Sequence, residues 1–468
     1  MKTRTPHCPC ATDRANTTKF LPINQKRMLY MKRRLNPLSI INRDRPSLVS
    51  GTALMAGTLL FSAGSLASID DATVQKLIAQ VEMLNARVQE LESADETLRT
   101  ENVALREATT ENAKVAQESA KASAGLSEKL AWAERIKLKG DFRYRYENID
   151  DDTKDDDRDR QRIRARIEAN SQVTDTWKVG FGLASGGEDP VSTNQTLGDG
   201  GSTKGINLDL AYFDWTGLEN THVLGGKYKN PFYRPAKNAL IWDGDYRPEG
   251  IAFQYDNGFL FSNGAVMMLE SDNDSGDEDT ITSWGLQFGI NTALSDTFQL
   301  ITGVSYYNTP VSGEPLQFDP DDSFGNSTIV NADGDLEYAY DFESLELFAE
   351  LRTTVADLPA SVFVDWVENQ DPDDDNTGWA IGAKLGKAKK RGTWQLGYTY
   401  QDLDADAVLG LTTDSDFGGG GTNVKGSLIK AAYALDTNVS FAVAYFINDK
   451  GDDETDYDRL QVDLKYKY

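Results

Sequence analysis

The sequence predicts an all-β transmembrane antiparallel β-barrel of about 16 strands, preceded by an α-helical coiled-coil segment. Hydrophobic and polar residues alternate from residue 136 to residue 468, as they do along strands that bury one face. A seven-residue repeat of Val and Leu runs from Val74 to Leu105. A third pattern, the alternation of short and long connections between the strands, decides between a barrel and other β folds.

Composition and charge argue against several other classes of protein. Hydrophobic residues make up 39% of the 468 residues and charged residues 26%, which fits neither a bundle of membrane helices nor a disordered chain. Acidic residues outnumber basic ones by 74 to 48, and the net charge of −26 argues against a nucleic-acid partner. The chain has only two Cys and two His, which argues against a structural zinc site and against a framework of several disulfides.

The first 67 residues have the layout of a secretory signal peptide, and we expect cleavage after Ala67. A basic stretch that includes Arg33 and Arg34 precedes a short apolar run over 51–67, which is too short to span a membrane. We expect the chain to start at Met31, where the sequence MKRR opens a better basic region. The mature chain would then have no Cys and a single histidine.

A periplasmic coiled coil is predicted over 68–118, followed by a linker over 119–135. The seam residues are Val74, Leu77, Val81, Leu84, Val88, Leu91, Leu98 and Leu105. Val at the a positions with Leu at the d positions is typical of helices that associate as oligomers. The alternative is an amphipathic helix packed on its own domain, which would normally show a wider apolar face.

The domain over 136–468 alternates apolar and polar residues, as in Trp394, Leu396, Tyr398 and Tyr400 with their polar neighbours. In a soluble sandwich the apolar face would be buried, whereas in an outer-membrane barrel it would face lipid. The predicted short connections include 174–176, 256–258, 294–297 and 436–437. The predicted long connections are 149–158, 185–204, 229–247, 272–279, 309–337, 370–376, 402–422 and 448–456. This strict alternation favours the barrel, because short periplasmic turns and long outer loops are typical of outer-membrane barrels.

Six segments resemble the putative porin family of Gram-negative outer membranes. They are GDFRYRYEN (140–148), RQRIRARIEAN (160–170), GLASGGEDPVSTNQTLG (182–198), LDLAYFDW (208–215), GGKYKNPFYRP (225–235) and IWDGDYRPEGIAFQY (241–255). The likeness covers 136–468 and implies a β-barrel channel, usually pictured as a trimer. Members more often end in Phe than in Tyr, but Leu464, Tyr466 and Tyr468 still form an alternating carboxy-terminal assembly signal.

The sharpest feature of the predicted barrel is a basic row on its second strand, with support from the first strand. The row consists of Arg158, Arg160, Arg162, Arg164 and Arg166, with Arg143 and Arg145 beside it. A charge that faces lipid near the midplane costs about 2–4 kcal/mol, so the row must face the lumen. Two interpretations stay open: a cationic wall that favours anionic or zwitterionic solutes, or a structural ladder neutralised by inward acids. The candidate acids are Asp141, Glu147, Glu168, Glu346 and Glu350.

The third long connection, 229–247, is the candidate constriction loop, and an ordinary surface loop is the alternative. Its candidate residues, with one from the preceding strand, are Lys227, Lys229, Arg234, Lys237, Trp242, Asp243 and Asp245. Two prolines, Pro231 and Pro235, stiffen it. The acid runs of the outer loops are interpreted as solvated surface rather than as sites for divalent cations. The run that starts at Asp371 lacks the Gly and the Glu that a calcium loop requires.

The predicted function is an outer-membrane porin for passive diffusion of small hydrophilic solutes. Its selectivity stays open, because the basic lumen wall would favour anions whereas the acidic outer loops would favour cations. The alternative is a structural envelope tether or adhesin, in which the barrel is an anchor and the coiled coil contacts peptidoglycan. An enzyme is disfavoured, because His222 lies near a turn with no Ser beside it. The predicted partners are outer-membrane lipid, lipopolysaccharide, peptidoglycan and two further copies of the chain, and no metal or cofactor is predicted.

Overall fold

The structure is a computed structural model that describes residues 70–271 and 280–468. The predicted signal peptide, with its start at Met31, and the predicted outer connection 272–279 lie outside the described residues. Within the described ranges, no helix combines the length and the apolar character needed to cross a membrane.

One long helix, α1, spans Asp71–Glu134. It contains the predicted seam and continues through 119–134, where the sequence predicts a linker. The eight seam side chains are all exposed in the single chain, by 40% at Val74 and up to 64% at Leu84 and Leu105. The polar Asn102 turns back onto its own helix and donates from Nδ2 to the carbonyl of Leu98 at 2.8 Å.

Sixteen antiparallel strands, β1 to β16, form a closed sheet over the rest of the chain, as the sequence predicts. They are β1 (Ile136–Asp151), β2 (Arg158–Gln172), β3 (Trp177–Ser185), β4 (Ile206–Trp215), β5 (Thr221–Lys227), β6 (Glu249–Asp256), β7 (Leu260–Met268), β8 (Thr282–Ala293), β9 (Gln299–Thr309), β10 (Phe342–Val355), β11 (Leu358–Asn369), β12 (Thr377–Gly386), β13 (Trp394–Leu403), β14 (Val424–Asp436), β15 (Val439–Lys450) and β16 (Thr455–Lys467). Each strand pairs with its neighbours in the chain, and β1 pairs with β16, with Tyr144 opposite Leu464. A barrel without free edges results.

Three short strands lie within the connections between the barrel strands. Gln195–Thr196 adds to β2, where Arg162 lies opposite Thr196. Thr328–Val330 and Leu336–Tyr338 form a separate hairpin. These additions leave the order of the barrel strands unchanged.

The two faces of the strands differ as a membrane barrel requires. On β1, Arg143 and Arg145 are buried in the lumen, whereas Phe142, Tyr144 and Tyr146 point outward and are exposed. The same alternation places a row of large apolar and aromatic side chains on the outer surface of most strands. A sandwich would bury these side chains, so the lipid-facing interpretation is confirmed.

The connections at one end of the barrel form the outer loops. They are L1 (152–157), L2 (186–205), L3 (228–248), L4 (with 269–271 and 280–281 described), L5 (310–341), L6 (370–376), L7 (404–423) and L8 (451–454). The connections at the other end are 173–176, 216–220, 257–259, 294–298, 356–357, 387–393 and 437–438. Strict alternation of length is wrong at the turn 387–393, which is as long as L6 before it and longer than L1 and L8. L8 is short because β15 and β16 stay paired as far as Lys450 and Thr455.

Two of the outer loops, L3 and L7, lie inside the barrel, where they build a hydrophobic core against the wall. The members from these loops include Tyr228, Phe232, Leu240, Ile241 and Trp242 of L3 with Val408 and Phe417 of L7. The wall contributes residues of β5 to β7, of β9 and of β11 to β15, including Met267, Tyr307, Phe363 and Phe446. The lumen is therefore partly filled with protein, and polar side chains line what is left.

Glycine at position 285 lets L3 approach the wall closely. A Cβ atom on Gly285 would lie 2.6 Å from Cδ1 of Tyr307 and 2.8 Å from Cζ of Phe232. Both distances are shorter than van der Waals contact, so any larger residue would push the aromatic rings of L3 and β9 away.

Candidate constriction of the channel

L3 is held inside the barrel by hydrogen bonds from its backbone and side chains to β8, β10 and β11. The amide of Tyr233 donates to Gln287 at 2.7 Å, and the amide of Ala236 donates to Glu350 at 2.7 Å. The side-chain amide of Asn238 donates to Asp365 at 2.7 Å. L3 is therefore fixed by polar contacts as well as by the apolar cluster.

L7 docks onto L3 and narrows the lumen further. The amide of Asp243 donates to the carbonyl of Thr412 at 2.7 Å, and the Thr412 hydroxyl donates to the carbonyl of Ile241 at 3.1 Å. The amide of Ser415 donates to the Asp243 carboxylate at 3.3 Å. The sequence predicts a long connection over 402–422 but not its position inside the lumen, since backbone contacts of this kind leave no pattern in the sequence.

A buried side chain of L5 holds L7 from its outer side. Asn326 donates from Nδ2 to the carbonyls of Ala405 at 2.7 Å and Val408 at 2.9 Å. Its Oδ1 accepts from the amide of Gly410 at 2.8 Å. L5, L7 and L3 thus form a connected series of loops from the outer rim to the lumen.

Most of the basic row lies in the lumen and is paired with carboxylates. Arg164 and Arg166 each bind Asp141 at 2.8 Å and also reach Asp245 of L3, at 3.2 Å and 2.6 Å. Arg160 binds Glu147. Arg158, at the outer end of β2, is exposed.

A second network joins β1, β16 and L7. Arg145 binds Asp463 at 2.7 Å and Asp416 of L7 at 3.0 Å. Arg459 binds both Glu147 and Asp416 at 2.6 Å. Arg459 is buried on β16 and is not among the predicted lumen residues, although the polar positions at 459, 461 and 463 alternate toward the lumen.

The acids that the sequence predicts to neutralise the basic row differ in the groups that they bind. Asp141 and Glu147 pair with the row, whereas Glu168 pairs with Lys139 at 3.0 Å and with Lys229 at 2.6 Å. Glu350 accepts from L3, and Glu346 accepts from Ser305 and from Tyr307 at 3.0 Å. The structural-ladder interpretation therefore describes part of the row only.

Four cations near the row have no carboxylate of the described chain within ion-pair distance. They are Arg143, Arg234, Lys237 and Lys430. Arg143 donates to Asn194 of L2, and its Nε–H has no acceptor. Arg234 donates to the carbonyl of Trp242 at 2.6 Å. Arg162 on β2 also has an Nε–H without an acceptor, although Glu147 lies 3.8 Å from its Nη1.

The four cations without a carboxylate partner all line one cavity of about 420 Å³ inside the barrel. Seven cationic side chains line it, namely Arg143, Arg145, Arg164, Arg234, Lys237, Lys430 and Lys465. Five carboxyl groups line it as well, namely Asp243, Asp245, Asp414, Asp416 and Asp463. The cavity lies between L2, L3, L7 and the wall formed by β1, β2 and β13 to β16, and Phe446 of the apolar cluster also lines it.

The remaining predicted residues of L3 and of the preceding strand lie away from this cavity. Lys227 binds Glu249 at 2.6 Å and Lys229 binds Glu168 at the same distance. Trp242 belongs to the apolar cluster, where its ring stacks on Phe232. The structure thus brings Arg234, Lys237, Asp243 and Asp245 to the cavity and leaves Lys227, Lys229 and Trp242 outside its lining.

The four loop carboxyls at the cavity have opposite electrostatic surroundings. Burial raises the pKa of Asp243 well above its ordinary value, and the charges of Asp414 and Asp245 raise it further. Burial and the charge of Asp416 also raise the pKa of Asp414. Burial opposes ionisation of Asp245, but Arg164 and Arg166 lower its pKa to about 2. Arg459 and Arg145 hold the pKa of Asp416 well below its ordinary value against the effect of burial.

Two wider spaces lie on either side of the constriction. One of about 660 Å³ is lined by outer loops and their acids, such as Asp151 and Asp452. The other, of about 890 Å³, lies near the turn 216–220 and is lined by His222 and Arg352. His222 contacts Asp214 through Nδ1 at 2.8 Å. In the ranges that the structure describes, no cluster of His, Cys, Asp and Glu is suited to holding a metal ion.

The carboxy-terminal residues complete the barrel next to its first strand. Tyr466 lies opposite Phe142 on β1. The amide of Tyr468 donates to the carbonyl of Gly140 at 3.1 Å. The predicted assembly signal therefore lies on the seam that closes the sheet.

A closed antiparallel barrel with an apolar outer face, a charged lumen and loops folded inward is the architecture of an outer-membrane porin. The model of the putative porin family matches residues 149–317 and 322–468, and the chain belongs to this family. The family points to a channel rather than an enzyme. No curated protein matches the sequence.

Solved structures with a similar fold are also porins or outer-membrane proteins. OprB of Pseudomonas putida, in its high-pH structure, is 11% identical over 74% of this chain and 97% of its own, with a TM-score of 0.50. The loop-L8 deletion mutant of OmpT of Vibrio cholerae is 12% identical over 71% and 99%, with a TM-score of 0.44. OmpF of Salmonella typhi in complex with daunomycin is 11% identical over 71% and 97%, with a TM-score of 0.43.

Proposed function

We propose that this porin conducts small hydrophilic solutes by passive diffusion and that its constriction favours anions. The observation that carries the proposal is the charge of the cavity between L3 and L7. Its seven cations exceed its five carboxyls by two, and four of the cations have no carboxylate partner among the described residues. An excess of fixed positive charge in a narrow aqueous passage lowers the barrier for anions.

The paired residues of the basic row have a different role in this proposal. Arg164 and Arg166 are bound to Asp141 and Asp245, so their charges are compensated and their main effect is to hold L3 in place. Selectivity therefore depends on the unpaired cations and not on the row as a whole. The raised pKa values of Asp243 and Asp414 should increase the positive excess as the pH falls, because a protonated carboxyl contributes no charge.

The reversal potential of the purified full chain in a planar bilayer, measured across a KCl gradient, tests this proposal. We expect a potential that indicates preference for chloride, and a shift toward cation preference in Lys430→Glu, which reverses one unpaired charge. Lys389→Glu is the matched control, because Lys389 is exposed on the turn 387–393, away from the cavity. Preference for potassium in the unmodified protein would refute the anion proposal, and absence of conductance would favour the envelope tether.

We also propose that three copies associate through α1 in the periplasm. The support is the exposed heptad seam of α1, whose eight apolar side chains have no cover in the single chain among the described residues. The sheet has an even number of strands, so β1 begins on the same side as the short turns, and α1 precedes it directly in the sequence. A helix on that side of an outer membrane would lie within reach of peptidoglycan.

A further inference from the structure

We propose that the cavity between L3 and L7 is a saturable binding site for a small organic carboxylate, which Arg143 binds directly. This inference rests on the proposed function, because it requires that anions enter the constriction. It goes further because it assigns a ligand class and a binding residue. It also implies that the flux of this ligand saturates, since each ligand must occupy the binding site on its way through the channel.

Among the cavity arginines, Arg143 is the one that has a buried side-chain N–H without an acceptor in the described chain. Its side chain is 7% exposed, it faces the lumen from β1, and its Nε–H has no acceptor. A buried cationic N–H without an acceptor destabilises a protein unless something else supplies the acceptor. Arg145, two residues later on the same face, shows the contrast, since Asp463 and Asp416 bind it.

A neutral side chain holds the guanidinium of Arg143 in place, so no carboxylate compensates its charge. Its Nη2 donates to the side-chain oxygen of Asn194, a neutral acceptor on L2. Asn194 itself donates to the hydroxyl of Ser192 at 3.1 Å, so its position is fixed in turn. A guanidinium that is held in place by an amide keeps its full charge and still has the donors of one edge for a planar, two-oxygen acceptor.

The other unpaired cations of the cavity surround the same space. Lys430 on β14 and Lys237 and Arg234 on L3 line the cavity with Arg143, and Asn194 lines it as well. A volume of about 420 Å³ is larger than a halide ion needs and is in the range of sites for small organic molecules. The chemistry of the lining therefore fits a solute with a carboxylate and a short polar body.

The test measures the chloride current of the full-length protein in a planar bilayer while potassium succinate is added at millimolar concentrations. We expect a fall in current that saturates with succinate concentration in the unmodified protein. In Arg143→Gln the half-saturating concentration should rise at least tenfold. Arg143→Lys keeps the charge but loses the planar fork, so it should retain the preference for chloride and still bind succinate several-fold more weakly. Arg391→Gln, at an exposed turn position, is the matched control and should behave as the unmodified protein.

Each outcome decides a separate point. A current that falls without saturation, or equal succinate binding in Arg143→Gln, would overturn the binding site. Tighter binding of inorganic phosphate than of succinate would overturn the carboxylate assignment. If Arg143→Gln does not assemble, Asn194→Ala replaces it and should weaken succinate binding several-fold, and an unchanged value would count against the site. A preference for potassium over chloride would refute the proposed function itself, whereas chloride preference without saturation would refute this inference alone.

Discussion

Two carboxyls of L3 that lie two residues apart illustrate how strongly local surroundings determine charge in this lumen. Asp245 lies between Arg164 and Arg166, whose charges lower its pKa to about 2 against the effect of burial. Asp243 lies beside Asp414, and burial raises its pKa well above its ordinary value. A sequence shows both as acids of one loop, so their opposite states could not be predicted without the positions of β2 and L7.

The difference between these carboxyls predicts a pH dependence of selectivity. A carboxyl whose pKa is raised takes up its proton earlier as the pH falls, so Asp243 and Asp414 become neutral while Asp245 stays ionised down to about pH 2. The cavity then gains positive charge, and we expect anion preference to increase on acidification. Reversal potentials at a series of pH values from 7 downward measure this.

The matched variants of this prediction are Asp243→Asn and Asp245→Asn. Asp243→Asn should show the acidic behaviour already at neutral pH and a weaker pH dependence, because one of the two titrating groups is gone. Asp245→Asn should keep a pH dependence, because both titrating groups are still present, but should shift it to lower pH, because the charge of Asp245 helps to raise the pKa of Asp243. Identical pH profiles for the unmodified protein and Asp243→Asn would contradict the assignment.

Among the elements of the barrel, L3 and L7 determine how much of the lumen is open. L3 contributes large apolar side chains that pack on the wall, and its polar face turns toward the cavity. L7 contributes Asp416, which bridges Arg145 of β1 and Arg459 of β16. The two loops thus leave a cavity beside β1, β2 and β13 to β16.

Shortening L3 tests its role as the constriction. Deletion of residues 231–237 removes Phe232 from the apolar cluster and Ala236 from its bond to Glu350, and the space that they fill should then conduct. We expect single-channel conductance to rise by about twofold or more, because conductance follows the narrowest cross-section. Deletion of 331–335, the exposed tip of the hairpin in L5, is the control and should leave conductance unchanged. Equal conductance of both deletions would mean that L3 does not limit the pore.

Whether an element could be predicted from the sequence depends on the kind of interaction that positions it. The barrel could be predicted, because alternation along a strand such as β1 separates Arg143 from Tyr144 by chemistry alone. Contacts between L7 and L3 could not, because they join backbone atoms such as the amide of Asp243 and the carbonyl of Thr412. The position of Trp242 in L3 predicts a place at the constriction, but a large aromatic ring is stabilised more by the apolar cluster than by a charged cavity.

At the scale of the whole molecule, charge differs between the surface loops and the passage. The outer space is lined by acids such as Asp151, Asp322 and Asp452, whereas the constriction has more cations than carboxyls. An anion must therefore pass an acidic entrance before it reaches an attractive site. The field of the outer acids acts through water and is screened by salt, whereas charges inside the narrow lumen are screened much less. We therefore expect anion preference to increase with ionic strength over the range in which the outer acids become screened.

The exposed seam of α1 predicts that association of the chains depends on a few apolar side chains. Burial of one Leu side chain contributes about 1.5–3 kcal/mol, so Leu84→Asn with Leu91→Asn should weaken a trimer of the full chain substantially. Light scattering after size-exclusion chromatography in detergent, at increasing temperature, would show dissociation several degrees earlier for this double variant. Met83→Asn is the control, because Met83 is equally exposed on α1 but lies outside the seam. If the double variant and the control dissociate at the same temperature, the seam does not join the protomers, and the contacts between them must lie on the barrel.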